Sequence, residues 1–122
     1  MSGAPAGGDA VLDREALSRL RQELRDPTVL PRIFETFRRE TPGRLARLRA
    51  AVQAGDVEET RQAAHAARNG AVTLAAERMA SLCQKLETEA ESGSLRDAAA
   101  DVERLQEAFT EASTALAGEL MR

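Results

Sequence analysis

The chain has 122 residues, of which 43% are hydrophobic and only 2% aromatic, and it contains neither tryptophan nor tyrosine. This length supports one domain with a modest core, and a composition dominated by Ala, Leu, Arg and Glu favours helices over strands. The formal net charge is −3 and the acidic and basic residues are interspersed, whereas a nucleic-acid partner would normally require a basic stripe. We therefore expect an all-α domain that does not bind nucleic acid.

Residues 1–10 are rich in Gly, Ala and Pro, and we expect them to form a disordered lead before a domain at residues 11–122. This lead lacks the basic and apolar regions of a secretory signal, and no later run is apolar enough to cross a bilayer. Cys83 is the single cysteine, and its apolar neighbours indicate a buried thiol in a reducing compartment. We predict a cytoplasmic monomer with no membrane partner.

The first half of the domain predicts two helices. Asp13 can cap a short first helix, which ends before Pro27. A long second helix has apolar residues every three or four positions as far as Gly55. Pro42 lies inside it, and because a proline removes a backbone hydrogen bond we expect a kink there, or else a true break at residues 41–43.

The second half of the domain predicts three more helices. Asp56 and Glu59 form a variant of the capping box and begin the third helix, which should end between positions 72 and 75. A fourth helix is expected at about residues 76–91, and Ser94 should cap a last helix that reaches nearly to the C-terminus. The four long segments predict an antiparallel up-down four-helix bundle with an additional short N-terminal helix.

His65 is the single histidine of the chain and the strongest candidate for chemistry. Helical geometry of about 100° per residue turns its ring away from the small apolar stripe on which the helix should pack, which consists of Ala63, Ala67, Gly70 and Leu74. Polar side chains three or four positions away flank the ring, namely Arg61, Gln62, Arg68 and Asn69. An outward imidazole framed by guanidinium and amide donors suits a dianionic phosphoryl group.

Several other kinds of site fit the sequence poorly. One histidine and one distant cysteine cannot assemble the usual ligand set of a metal, so we expect no metal site. A hydrolytic triad lacks its partners, and no glycine-rich nucleotide loop is present. The residues around His65 could also be ordinary surface residues without a function, because a salt bridge with Glu58 would explain Arg61 equally well.

From His65 the sequence reads H-A-A-R-N-G-A-V-T-L-A-A, and an apolar helix that ends in Leu86-Glu87 follows. This stretch resembles the signature of histidine-containing phosphotransfer (HPt) domains, which is roughly H-x-L-K-G-S-S-x-x-L-G-A followed by an apolar helix ending in L-E. The resemblance implies a phosphorelay protein without kinase activity of its own. Such a protein accepts a phosphoryl group from a receiver-domain aspartyl phosphate onto its histidine and passes it to another receiver.

The resemblance assigns roles to individual positions. His65 matches the phosphorylated histidine, and Arg68 matches the family lysine and should neutralise phosphoryl charge, with Arg61 as a second cation. Asn69 stands where the family has glycine, so a side chain lies where a receiver approaches closely. We expect the receiver to contact Asn69 and Val72, with Arg61 and Gln62 beside them.

The resemblance also implies partners for this chain and leaves other functions open. The expected partners are response-regulator receiver domains, and a hybrid histidine kinase is a further candidate. Mg²⁺ is expected on the receiver, and this chain should bind no cofactor. Such a phosphotransfer bundle could also be a module of a hybrid or chemotaxis kinase. The main rival is a docking or scaffold bundle that binds a receiver without accepting phosphate, which Asn69 favours.

Overall fold

The computed structural model describes residues 10–121. That range contains five helices and no strand: α1 (Arg14–Glu23), α2 (Val29–Gln53), α3 (Val57–Thr73), α4 (Glu77–Glu91) and α5 (Ala98–Leu120). The prediction of an all-α fold with a short N-terminal helix is confirmed. None of these five helices combines the length and apolar character needed to span a membrane. The predicted disordered lead lies outside the described residues except for Ala10.

Two of the predicted helix starts are confirmed by their caps. The Asp13 carboxylate accepts a hydrogen bond from the Ala16 backbone at 3.0 Å, and the Asp56 carboxylate accepts one from Glu59 at 3.0 Å. Each bond satisfies a backbone N–H that has no partner inside its helix. The helices α1 and α3 therefore begin where the sequence placed them.

The predicted start of α5 at Ser94 is wrong. A turn intervenes, in which the Ala98 backbone N–H donates to the Leu95 carbonyl at 3.2 Å, and the helix begins only at Ala98. The Ser94 hydroxyl accepts a 3.4 Å bond from the backbone of Arg96 within this turn. Ser94 thus stabilises the connection that precedes the helix.

The predicted alternative of a break at residues 41–43 is also wrong, because α2 continues through Pro42. Phe37, Thr41 and Leu45 are all buried on the inner face of the helix at this point. Their packing outweighs the backbone hydrogen bond that the proline removes. The expected kink stays a prediction.

The buried face of α3 consists largely of alanines. Ala63, Ala64, Ala67 and Ala71 are all buried, so the predicted small-residue stripe extends further than the sequence suggested. Cys83 on α4 is buried too, and desolvation raises the pKa of its thiol to about 12. The predicted buried cysteine is therefore confirmed, and its thiol remains protonated near neutral pH.

Phe37 joins three helices at the centre of the fold. Its ring meets the ring of Phe109 on α5 edge-on, with 5.4 Å between the centroids and 64° between the planes. On its other side the ring lies so close to α3 that a Cβ added at Gly70 would come within 3.3 Å of Phe37 Cδ1. The absence of a side chain at Gly70 therefore allows α2 to approach the helix that carries His65.

An ion-pair network around a buried carboxylate joins α4 to α5. Asp101 is fully buried, and both of its carboxylate oxygens lie 2.9 Å from the Lys85 ammonium on α4. Arg104 adds a further 2.9 Å hydrogen bond to the same carboxylate. Two cations satisfy this buried charge, so α4 is held in one position against its neighbour.

The turn between α3 and α4 contains one strained residue. Ala75 has φ of 57°, which is a left-handed conformation that glycine adopts more easily than alanine. The N-terminal segment braces this turn, since the Asp13 backbone donates to the Ala75 carbonyl at 2.8 Å and the Arg78 backbone donates to the Ala10 carbonyl at 3.0 Å. The strain is thus offset by contacts from outside the turn.

We expect Ala75→Gly to raise the free energy of unfolding by about 1 kcal/mol, because it removes the left-handed Cβ strain at the cost of a more flexible unfolded chain. Urea denaturation of the two proteins measures the difference. Ala46→Gly on the exposed face of α2 is the matched control and should destabilise by about 1 kcal/mol. If Ala75→Gly lost stability as Ala46→Gly does, the result would contradict the strain at Ala75.

Candidate functional site

His65 lies on the outer edge of α3, facing α4. Its side chain is 56% exposed, as the small-residue stripe on the opposite side of the helix predicted. Its Nδ1 lies 3.1 Å from the Glu87 carboxylate on α4. The imidazole is therefore accessible to solvent and held in place at one nitrogen.

Glu87 is the central residue of the site, and the sequence analysis did not include it among the site residues. Its side chain is only 12% exposed. One carboxylate oxygen contacts His65, and the other accepts a 3.1 Å hydrogen bond from Arg68. The structure thus brings the two predicted catalytic residues together on a single carboxylate. The Leu86-Glu87 pair, which matches the L-E at the end of the family signature, was the one sequence signal that could have identified Glu87.

The contact with Glu87 assigns the proton on the imidazole. An ionised carboxylate can only accept hydrogen bonds, so Nδ1 carries a proton in this contact, and in the neutral ring the lone pair is then on Nε2. Within residues 10–121, Nε2 has no hydrogen-bond partner. In the neutral ring, the nitrogen that carries the lone pair is therefore the one left free.

Two of the predicted binding residues are paired with a carboxylate of their own helix. Arg61 donates two hydrogen bonds to Glu58, at 3.0 and 2.7 Å, and Gln62 donates a third at 2.9 Å. Hydrogen bonds from Arg61 first and Gln62 second lower the pKa of Glu58 to about 2. The salt bridge between Glu58 and Arg61, which is the alternative explanation for an arginine at this position, is therefore present.

The remaining predicted binding residues lie on an exposed ridge of α3. Asn69 is exposed, and Val72, one turn further along, is 58% exposed. A cavity of about 220 Å³ runs beside this ridge between α2 and α3. It is lined by Ile33, Thr36, Phe37, Glu40, Arg44, Gly70, Thr73 and Leu74. The sequence did not predict which α2 residues line this groove.

The same part of the chain offers little to a metal ion. Across residues 10–121, no cluster of three or more His, Cys, Asp or Glu side chains is arranged to hold one.

The sequence matches a known protein-family model. The family model for the Hpt domain matches residues 32–115, which is more than half of the chain. The chain belongs to the Hpt domain family. The matched Hpt region extends from α2 into α5 and includes His65, Arg68 and Glu87. Membership makes the chain a histidine phosphotransfer protein of a phosphorelay, a class that interacts with receiver domains of response regulators.

A solved structure supports the Hpt assignment. The crystal structure of histidine-containing phosphotransfer protein B (HptB) from Pseudomonas aeruginosa PAO1 is similar, with a TM-score of 0.83 and 30% sequence identity. The match covers 94% of this chain and 98% of that one. No curated protein sequence matches the chain. The Hpt fold therefore extends over nearly the whole chain and beyond the family-model match.

Proposed function

We propose that His65 accepts a phosphoryl group from the aspartyl phosphate of a receiver domain and passes it to a second receiver. The observation that supports this most directly is the exposed imidazole whose Nδ1 is bound to Glu87 while Nε2 has no partner in residues 10–121. A neutral imidazole oriented in this way needs no additional base.

The transfer step follows from this proton arrangement. The Nε2 lone pair attacks phosphorus, an N–P bond forms, and the P–O bond to the receiver aspartate breaks with its electron pair left on the carboxylate. The ring keeps its Nδ1 proton and so becomes positively charged. The Glu87 carboxylate, 3.1 Å from Nδ1, stabilises that charge. In the second transfer an aspartate oxygen attacks phosphorus, and the electron pair of the N–P bond returns to Nε2.

Arg68 supports the step through Glu87. Its guanidinium lies 3.1 Å from the Glu87 oxygen that does not contact His65, and it offsets the negative charge of that carboxylate beside the incoming phosphoryl group. It also holds the carboxylate in position to accept from Nδ1. Mg²⁺ on the receiver would neutralise phosphoryl charge during transfer, and this chain would bind no cofactor.

The receiver would dock on the α3 ridge and the groove beside it. Val72 offers apolar surface two turns from His65, and the groove adds Ile33 and Phe37 from α2. A surface of this kind suits a transient interface at the small end of the usual range. The proposal includes a cytoplasmic monomer whose partners are response regulators, with a hybrid histidine kinase as a further candidate.

A second candidate function is docking without phosphate acceptance. Asn69 favours it, because this exposed side chain lies one turn from His65 where the family pattern has glycine. A bulky contact there would keep the receiver phosphate away from Nε2. A single phosphoryl-labelling experiment distinguishes the two functions.

The experiment is to incubate the protein with Mg²⁺ and a receiver carrying a labelled aspartyl phosphate. We expect label that is labile in acid and stable in base to move onto the chain and to be absent from His65→Gln. A receiver that binds but never transfers label to the wild-type protein would support the docking function instead. Label that persists in His65→Gln would place the acceptor elsewhere.

A further inference from the structure

The two arginines that flank His65 are each held by a different carboxylate. Arg68 pairs with Glu87 on α4, and Arg61 pairs with Glu58 one turn earlier on α3. The arginine side chains are similarly exposed, at 35% and 38%, but Glu87 is 12% exposed and Glu58 is 63% exposed. The two pairs therefore differ mainly in the surroundings of the carboxylate.

This difference decides which arginine can leave its partner. Without Arg68, the largely buried Glu87 carboxylate would keep one hydrogen bond, from His65, and would have little access to water. Without Arg61, the exposed Glu58 carboxylate would exchange its bonds for water and keep the bond from Gln62. Arg61 is therefore the more easily released cation.

Arg61 is also within reach of the imidazole. It precedes His65 by four residues, so the two side chains are neighbours on one face of α3. The hydrogen bond to Glu58 is the largest cause of the raised pKa of Arg61, and the charges of Glu91 and Glu87 on α4 also contribute. The Arg61 guanidinium therefore lies within electrostatic range of α4. Arg61 is thus placed beside the cluster that contains His65.

We propose that Arg61, released by Glu58, is the cation that binds the phosphoryl group on His65, whereas Arg68 stays on Glu87. The phosphoryl dianion competes with Glu58 for the Arg61 guanidinium, and it has the advantage of higher charge. Glu58 is then a positioning residue that limits how strongly phosphorylated His65 is stabilised. The inference rests on the proposed phosphorylation of His65, and it reverses the order of the two arginines expected from the sequence.

The equilibrium of phosphoryl exchange with one receiver in Mg²⁺ tests this inference. We expect Glu58→Gln to shift the equilibrium about threefold toward phosphorylated His65, since less of the Arg61 population is then held by a carboxylate. Arg61→Gln should shift it in the opposite direction, and the double variant should behave as Arg61→Gln alone. Glu59→Gln is the matched control, because Glu59 lies in the same first turn but pairs with Arg47 on α2.

A second measurement identifies the moving side chain directly. In the NMR spectrum of the arginine Nε–H groups, phosphorylation should shift the Arg61 signal strongly and leave Arg68 near its resting position. An unchanged equilibrium in Glu58→Gln, or a shift of Arg68 in place of Arg61, would overturn the inference while phosphorylated His65 is still observed. Absence of phosphorylated His65 in the wild-type protein would instead reject the proposed function, and the inference with it.

Discussion

Glu87→Ala should slow phosphoryl transfer onto His65 about tenfold, which corresponds to about 1.4 kcal/mol of activation free energy. In the wild-type protein the Glu87 carboxylate holds the proton on Nδ1 and fixes the ring, with 3.1 Å between Nδ1 and the carboxylate. Without it, the proton is distributed over both nitrogens and the ring rotates freely, so Nε2 is less often a correctly oriented nucleophile. Rapid-quench measurement of transfer from a phosphorylated receiver gives the rate.

Two controls separate this role from a general loss of charge. Glu87→Gln keeps an oxygen that can accept from Nδ1, so it should recover most of the rate. Glu91→Ala removes an exposed carboxylate from the same helix one turn away and should leave the rate near that of wild type. A Glu87→Ala protein that folds normally and transfers at the wild-type rate would remove Glu87 from the mechanism.

Phe37→Ala should lower the free energy of unfolding by about 3–5 kcal/mol. The ring is buried where α2 meets α3 and α5, with Gly70 on one side and Phe109 on the other. Truncation removes apolar burial and an aromatic pair, and it leaves a cavity that the flanking helices cannot fill without moving. Chemical denaturation measures the loss.

Two further variants calibrate the effect of Phe37→Ala. Phe37→Leu keeps most of the apolar volume and should cost about 1–1.5 kcal/mol. Thr36→Ala, at the exposed neighbouring position, should change stability by no more than about 0.5 kcal/mol. A loss below about 1 kcal/mol in Phe37→Ala would show that the ring does not hold the three helices together.

The helices and the outward direction of His65 were predictable because they depend on local spacing. Apolar periodicity located all five helices, and the caps at Asp13 and Asp56 fixed two starts. The buried alanines opposite His65 settled which side of α3 faces the core. Such signals lie within one or two helical turns, where geometry is the same in every helix.

The errors and omissions involve longer-range contacts. Glu87 is 22 positions from His65, and only the packing of α3 on α4 brings their side chains together. The alternative of a break at residues 41–43 was wrong because core packing on the buried face of α2 outweighs a local backbone preference. The left-handed Ala75 is tolerated because the segment before α1 braces it, which sequence spacing does not reveal.

The identity of the phosphorylated nitrogen tests the central claim most directly. The protein is prepared with nitrogen-labelled histidine, phosphorylated by its receiver, and studied by NMR for scalar coupling between phosphorus and the ring nitrogens of His65. We predict coupling to Nε2, with Nδ1 still protonated and bound to Glu87. Coupling to Nδ1, or a fully phosphorylated protein whose His65 shows no coupling, would contradict the account.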